Sequence, residues 1–255
     1  MAIKEKDFVK INFTGKTVDN DAIFDTTLED VAEEAGIKDE QKVYGPLPII
    51  VGGGHLLSGL DKEIIGMKAG DKKTVTLEPA DAYGERDSKL IQVVPMGDFK
   101  KQNIKPYVGM ALTIENQTAR VVNISGGRVR LDFNHVLAGK TVEYDLEVVE
   151  IIKSDKDKIK SMVKLHYPNP RLDETKTEVS IRKGVAKITL DDTAKFDNNP
   201  YMDITFARFR IARDIWENIE TITKVEFIDA FEKQIEEPEE ESEDLPEKIP
   251  EVLDE

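Results

Sequence analysis

The sequence contains no cysteine. That absence removes disulfide staples, thiolate zinc sites and a cysteine nucleophile from consideration. Histidine is nearly as scarce: its three copies, His55, His135 and His166, are not spaced as a pair of metal ligands, so no metal or other cofactor is expected. Long apolar runs are also missing. Nothing approaches the ~18 residues of a membrane span, and the start of the chain alternates charge with isolated apolar residues instead of forming an export signal. A cytoplasmic location is the expectation, with no membrane partner. Positive charge is in deficit, with 36 Lys and Arg against 51 Asp and Glu, a net charge of −15. Such a polyanion is repelled by phosphate backbones and anionic lipid, which argues against a nucleic-acid partner.

What is present fits a folded chain of several units. At 255 residues with 39% hydrophobic and 34% charged side chains, there is room for two or three small domains, each with its own core. Residues 7–15 alternate apolar side chains (Val9, Ile11, Phe13), the period of a strand with one buried face. The turn residues Asp19-Asn20-Asp21 precede a second strand at 22–25. Residues 27–36 predict a short helix, with Thr27 and Asp30 as a capping box, and Ser58 with Asp61 predicts another that carries Leu60, Ile64 and Met67. Val75 and Leu77 alternate as a strand, and residues 141–152 alternate again, with Val142, Tyr144, Leu146 and Val148 on one face.

Between these lies a change of composition after Asp87. Short strands are expected at 90–94, 111–114, 119–124 and 127–133, with a short helix at 96–104. The apolar residues Leu90, Ile91, Val93, Val94, Met96, Phe99, Ile104, Tyr107, Met110 and Leu112 exceed what so small a unit buries. Some are expected to form an exposed groove for unfolded chains, with Met96 and Met110 adapting to varied sequences. Downstream, 155–164 predicts a helix, Pro168 and Pro170 a break, and 178–182 with 185–190 a hairpin across Lys183-Gly184. A helix at 200–219 would gather Ile204, Phe209, Ile211, Ala212, Ile215, Trp216 and Ile219 on one side, before a strand at 224–231. The run of Glu and Asp with Pro238 and Pro246 predicts a disordered acidic tail.

Chemistry has to be read from order, because no motif is decisive alone. Gly52-Gly53-Gly54 lacks the lysine and hydroxyl residue of a phosphate loop. Phe24-Asp25-Thr26-Thr27 follows a strand and a turn, Leu56-Leu57-Ser58-Gly59-Leu60 opens a helix, Gly66-Met67-Lys68-Ala69-Gly70-Asp71 closes it, and Pro79-Ala80-Asp81-Ala82-Tyr83-Gly84 ends the next strand. Together these resemble the FKBP family of peptidyl-prolyl cis/trans isomerases. Asp132-Phe133-Asn134-His135-Val136-Leu137-Ala138-Gly139 is similar to its SlyD-like branch, and the extra C-terminal region to the long archaeal members.

The resemblance implies an α+β fold: an FKBP half β-barrel around one helix (1–87 with 136–153), a β-rich chaperone domain inserted in the flap (88–135), a C-terminal α+β domain (154–234) and the acidic tail (235–255). It implies Asp25 and Tyr83 as catalytic residues, and Phe13, Phe24, Leu47, Ile49, Leu56, Leu57, Leu60, His135, Leu137 and Tyr144 as substrate-binding ones. Phe13 stands where many members have tyrosine, Leu60 where many have tryptophan, and Tyr144 where phenylalanine is usual. These departures bear on macrolide binding more than on isomerisation. The implied partners are unfolded or proline-containing polypeptides and, through the C-terminal domain, a second copy of the chain. A holdase-type binding protein with weak or no isomerase activity is the alternative.

Overall fold

The computed structural model describes residues 1–195 and 203–231. The tail expected at 235–255 and the first residues of the helix expected from 200 lie outside the described residues. The first sheet holds β1 (Phe8–Thr17), β2 (Ile23–Thr26), β3 (Leu47–Ile50), β4 (Lys72–Leu77) and β9 (Val142–Ile152), in the order β2-β1-β9-β4 with β3 also paired to β1. Helices α1 (Glu29–Glu34) and α2 (Ser58–Ile64) belong to this part of the chain. A second sheet, of order β5-β8-β7-β6, is built from β5 (Ile91–Pro95), β6 (Ala111–Ile114), β7 (Gln117–Ser125) and β8 (Arg128–Asp132), with α3 (Met96–Lys101) against it. The third, β10-β11-β12, comprises the hairpin β10 (Glu178–Arg182) and β11 (Val185–Thr189) plus the parallel strand β12 (Lys224–Phe227), with α4 (Asp155–His166) and α5 (Ile204–Asn218). All pairings within the first two sheets are antiparallel.

The alternation read from the sequence is the alternation that is buried. Val142, Tyr144, Leu146 and Val148 all point inward from β9, and Val9 and Ile11 do so from β1. Leu60, Ile64 and Met67 are buried as well, although α2 ends before Met67. The hairpin turn at Lys183-Gly184 has φ of 48° and 77°, the left-handed pair that joins twisted antiparallel strands tightly.

Neither expected capping box forms. The residues at the N-caps of α1 and α2 are Leu28 and Leu57, and neither side chain bonds the helix. The Thr27 hydroxyl is taken instead by the Phe13 N–H at 3.0 Å, and Asp61 accepts from the Gly52 N–H at 3.3 Å. In both cases a long-range backbone partner won over the local one.

The C-terminal unit shares a core with the first sheet. Phe8, Ile50 and Ile152 turn outward from β1, β3 and β9 to pack with Ile159, Met162, Val163, Tyr167, Ile188, Ile211 and Ile215, while their neighbours Val9, Ile49 and Ile151 turn inward. Strands with both faces covered read as continuous apolar runs, which is why Ile49-Ile50-Val51 shows no alternation. The prolines at 168 and 170 fall inside this unit, since α4 upstream of them and β10 downstream contribute to the same cluster. His55 and His166, remote in sequence, meet edge-on at 6.1 Å along this seam, where His166 Nε2 lies 2.5 Å from Asp214 Oδ2.

On α5 the expected single stripe divides. Ile211, Ala212, Ile215 and Ile219 are buried, whereas Phe209 is 64% and Trp216 48% exposed. Successive helical residues are about 100° apart, so Trp216 follows Ile215 round to a flank that it shares with Phe206 and Phe209. Arg208, the charge that interrupts the stripe, donates to Asp229 at 2.7 Å and lies over the Phe227 ring.

The shared core makes a prediction. Ile152→Ala removes a side chain buried by both units and is expected to cost about 2–5 kcal/mol. In urea, Trp216 fluorescence and far-UV circular dichroism should shift together to a lower midpoint. A variant whose Trp216 transition stays at the wild-type midpoint would show that the two units unfold independently.

Candidate functional site

Beside the main core of the first sheet lies a second cluster: Leu60, Val75, Leu77, Val142 and Tyr144 are buried, and Phe13, Phe24, Leu56, Leu57, Ala82 and Tyr83 pack on it while partly exposed. Each arrives for a local reason. Phe13 and Tyr144 are inward positions of the paired strands β1 and β9. Phe24 and Asp25 end β2, and the two threonines that follow fasten that end to β1. The Thr27 N–H and the Thr26 hydroxyl both donate to the Phe13 carbonyl, at 3.0 and 3.1 Å. Tyr83 follows a 3-10 turn over Pro79–Asp81, which is closed by the Gly84 N–H donating to the Pro79 carbonyl at 2.7 Å.

The aromatic rings meet edge to face. Phe24 stands 5.7 Å from Tyr144 and 5.9 Å from Tyr83, and Phe13 stands 5.9 Å from Tyr144, the spacing favoured by ring quadrupoles. Gly15, which sequence reading passed over, is what lets β1 approach them. A Cβ there would sit 2.7 Å from the Tyr144 ring and 2.8 Å from the Phe24 ring. Gly59 does the same for α2, where a Cβ would meet Leu77 at 2.5 Å.

Polar groups line one side of this apolar patch. The Tyr83 and Tyr144 hydroxyls are 2.9 Å apart. Burial pushes both phenols up; the bond to Tyr83 and the Asp25 charge push Tyr144 further, while for Tyr83 the bond to Tyr144 works the other way. Both therefore stay protonated beyond the ordinary phenol value of about 10 and remain donors at neutral pH. The His135 ring stacks on Tyr83 at 4.6 Å, and its Nδ1 accepts the Leu137 N–H at 3.2 Å. The Asp25 carboxylate is bonded by Lys42 Nζ, a partner that the sequence did not suggest. The Leu57 N–H has no acceptor among the described residues.

Of the candidates named from the sequence, Phe13, Phe24, Leu56, Leu57, Leu60, Tyr83 and Tyr144 are gathered in this cluster, with His135 stacked at its edge. Leu47 and Ile49 belong to the adjoining core, to which Phe13 and Leu56 form the bridge, and Ile49 is 1% exposed. Leu137 is buried beside the base of the insert.

The insert is fastened to this site by a polar clasp. Asn134 donates through Nδ2 to Asp132 Oδ1 at 2.7 Å and to the Asp87 carbonyl at 2.9 Å, and accepts the Asp87 N–H at 2.8 Å. Arg86 bonds the other Asp132 oxygen. Burial alone would raise the Asp132 pKa, but these donors together hold it below the usual carboxylate range. Within the insert, Phe99, Ala119, Val121, Val129 and Leu131 form a small core, with Met96 and Met110 packed partly buried on it. Leu90, Val93, Tyr107 and Val108 stay exposed at 42–65%.

Comparison with known proteins gives three family matches along the chain. Residues 1–100 match the model of the FKBP-type peptidyl-prolyl cis-trans isomerases, 92–137 that of the FKBP26 IF domain and 155–232 that of the FKBP26 C-terminal region. Over 149 residues the chain is 36% identical to a short-type peptidyl-prolyl cis-trans isomerase of Methanocaldococcus jannaschii, an alignment covering 58% of this chain and 94% of that protein. It is 34% identical over 131 residues to the FKBP-type isomerase SlyD of Vibrio cholerae and 32% identical over 131 residues to SlyD of Escherichia coli, alignments covering 50% of this chain and 65% and 66% of those proteins. With an alignment that takes in nearly all of the archaeal relative and family matches along all three sheets, the chain belongs to the FKBP-type peptidyl-prolyl cis-trans isomerase family, in its SlyD-like branch.

Proposed function

We propose that this protein catalyses cis/trans rotation of X-Pro bonds in unfolded or nascent polypeptides, with residues 1–87 and 136–153 as the isomerase domain. The observation that carries this reading is a partly exposed aromatic patch with the Tyr83 and Tyr144 hydroxyls along one side and the Leu57 N–H, which has no acceptor among the described residues, beside it. Rotation about an X-Pro bond meets a barrier of roughly 20 kcal/mol while cis and trans are nearly balanced, so it is slow enough to limit folding. No proton has to move. The planar amide is stabilised by charge-separated resonance that water favours, and a dry pocket disfavours it relative to the twisted transition state.

In this reading Phe13, Phe24, Leu56, Leu57, Leu60 and Tyr144 hold the proline ring. The Tyr83 hydroxyl and the Leu57 N–H donate to the substrate carbonyls, His135 and Leu137 border the pocket from the flap, and Leu47 and Ile49 support it from behind. Asp25 orients the polar side. The holdase alternative is not favoured, because the relatives carry isomerase names.

Residues 88–135 act in this proposal as a capture domain. The exposed Leu90, Val93, Tyr107 and Val108 suit adaptable contact with unfolded chain, and a second binding surface on the same molecule raises effective concentration to the millimolar range. For 154–231 we propose pairing with a second copy through the flank of α5 that exposes Phe206, Phe209 and Trp216, an aromatic stripe of the kind enriched at interfaces. A cytoplasmic location fits the absence, among the described residues, of a helix long and apolar enough to cross a membrane.

Three measurements test this. Tyr83→Phe is expected to lower kcat/KM on a proline tetrapeptide by up to about tenfold, the worth of one lost hydrogen bond, and Asp25→Ala to lower it too, with circular dichroism unchanged. Unaltered turnover in both would remove these groups from the mechanism. Replacing residues 89–131 with a short loop, leaving the clasp in place, should spare most tetrapeptide turnover but abolish most acceleration of a proline-limited refolding phase. Equal losses on the two substrates would reduce the insert to a shaper of the flap. Sedimentation at micromolar concentration is expected to give a dimer, and a Phe209→Lys, Trp216→Lys variant a monomer; a wild-type monomer would end the pairing proposal.

A further inference from the structure

The loop between α1 and β3 does more than connect. Its residues 39–44 are braced on themselves: the Lys42 N–H donates to the Asp39 carbonyl at 3.1 Å, the Gln41 N–H to the Asp39 carboxylate at 2.9 Å, and the Asp39 N–H to the Tyr44 hydroxyl at 3.0 Å. The far end is tied down by the Gly45 N–H, which donates to the Thr27 carbonyl at 2.7 Å, two residues beyond Asp25. The product of this bracing is one side chain. Lys42 leans over the Tyr44 ring, 5.5 Å from its centre, and delivers its ammonium to Asp25.

We infer that Lys42 is a positioning and specificity-determining residue of the pocket, fixing the Asp25 carboxylate and favouring X-Pro segments with an aspartate or glutamate beside the proline. The inference rests on the reading of this cluster as the isomerase site. An ammonium has three N–H donors, and Asp25 engages it through a single oxygen. Lys42 and Asp25 are 35% and 41% exposed as side chains, so the pair is open to an arriving chain. An incoming carboxylate finds a cation held in place with N–H donors to spare, and removing that cation leaves Asp25 alone to attract an incoming lysine. The effect is local and opposes the whole-molecule field: a chain of net charge −15 attracts basic peptides at long range, so a preference for acidic ones has to come from a nearby cation.

The test is the ratio of kcat/KM for Glu-Pro and Lys-Pro tetrapeptides, with Ala-Pro as the neutral reference, measured by exchange NMR in low salt on the full chain. Lys42→Gln is expected to lower that ratio about fivefold, the size of a partly exposed ion pair, and Lys42→Arg to retain it. In 1 M salt the difference between wild type and Lys42→Gln should shrink, since screening then acts within about 3 Å. A purely structural role for Lys42 would depress all three peptides alike and leave the ratio fixed. An unchanged ratio in Lys42→Gln, with Ala-Pro still turned over, would overturn the inference while sparing the pocket. No wild-type turnover of Ala-Pro would overturn the pocket reading and this inference with it.

Discussion

Strand β9 is hydrogen-bonded on both sides, to β1 and to β4, and its eleven residues touch every part of the molecule that matters. It begins just past the clasp that holds the insert, gives Val142 and Tyr144 to the aromatic cluster and Leu146 and Val148 to the main core, and ends with Ile152 in the C-terminal core. Because side chains alternate at a period of two, a slip of one residue would turn Tyr144 out of the pocket and Leu146 out of the core together. The register of this one strand therefore sets the geometry of the site and the attachment of the C-terminal unit.

The site is thus a by-product of a well-determined sheet, finished by a few local devices. Gly15 removes the atom that would collide with two rings, Thr26 and Thr27 fasten the end of β2, and the Pro79–Asp81 turn aims Tyr83. Most of the apolar wall comes from strands and α2, with Leu56 and Leu57 added just before that helix, while Asp25, Tyr83 and His135 come from a strand end and from loops. This division suits catalysis by exclusion of water, where the walls have to be rigid and only a few donors need exact aim.

How much of this was legible in the sequence follows from the range of each signal. Strands buried on one face announced themselves by alternation, and β9 was readable nearly residue by residue. Strands buried on both faces did not, so the outward packing of Phe8, Ile50 and Ile152 onto the C-terminal unit went unseen. Thr27 and Ser58 looked like helix caps because a capping box is a local pattern, and nothing local reveals that the Thr27 hydroxyl is taken up by β1. The stripe on α5 was drawn too wide for the same reason: Ile215 and Trp216 are adjacent in sequence yet face different surroundings. Gly15 and Lys42 were missed because their roles depend on what lies across the fold. The motif residues that were found owe their recognition to family resemblance, since Phe24-Asp25 or Tyr83-Gly84 alone is too short to exclude chance.

The doubly covered strands also bear on how the chain is made. Residues 1–153 leave the ribosome with the whole of the first sheet, but the side chains that cover Phe8, Ile50 and Ile152 are drawn from α4 through β12. At roughly 5–20 residues per second, synthesis from Ile152 to Phe227 takes about 4–15 seconds. For that interval the nascent chain presents an apolar face of its own, of the kind that the proposed capture surface would hold.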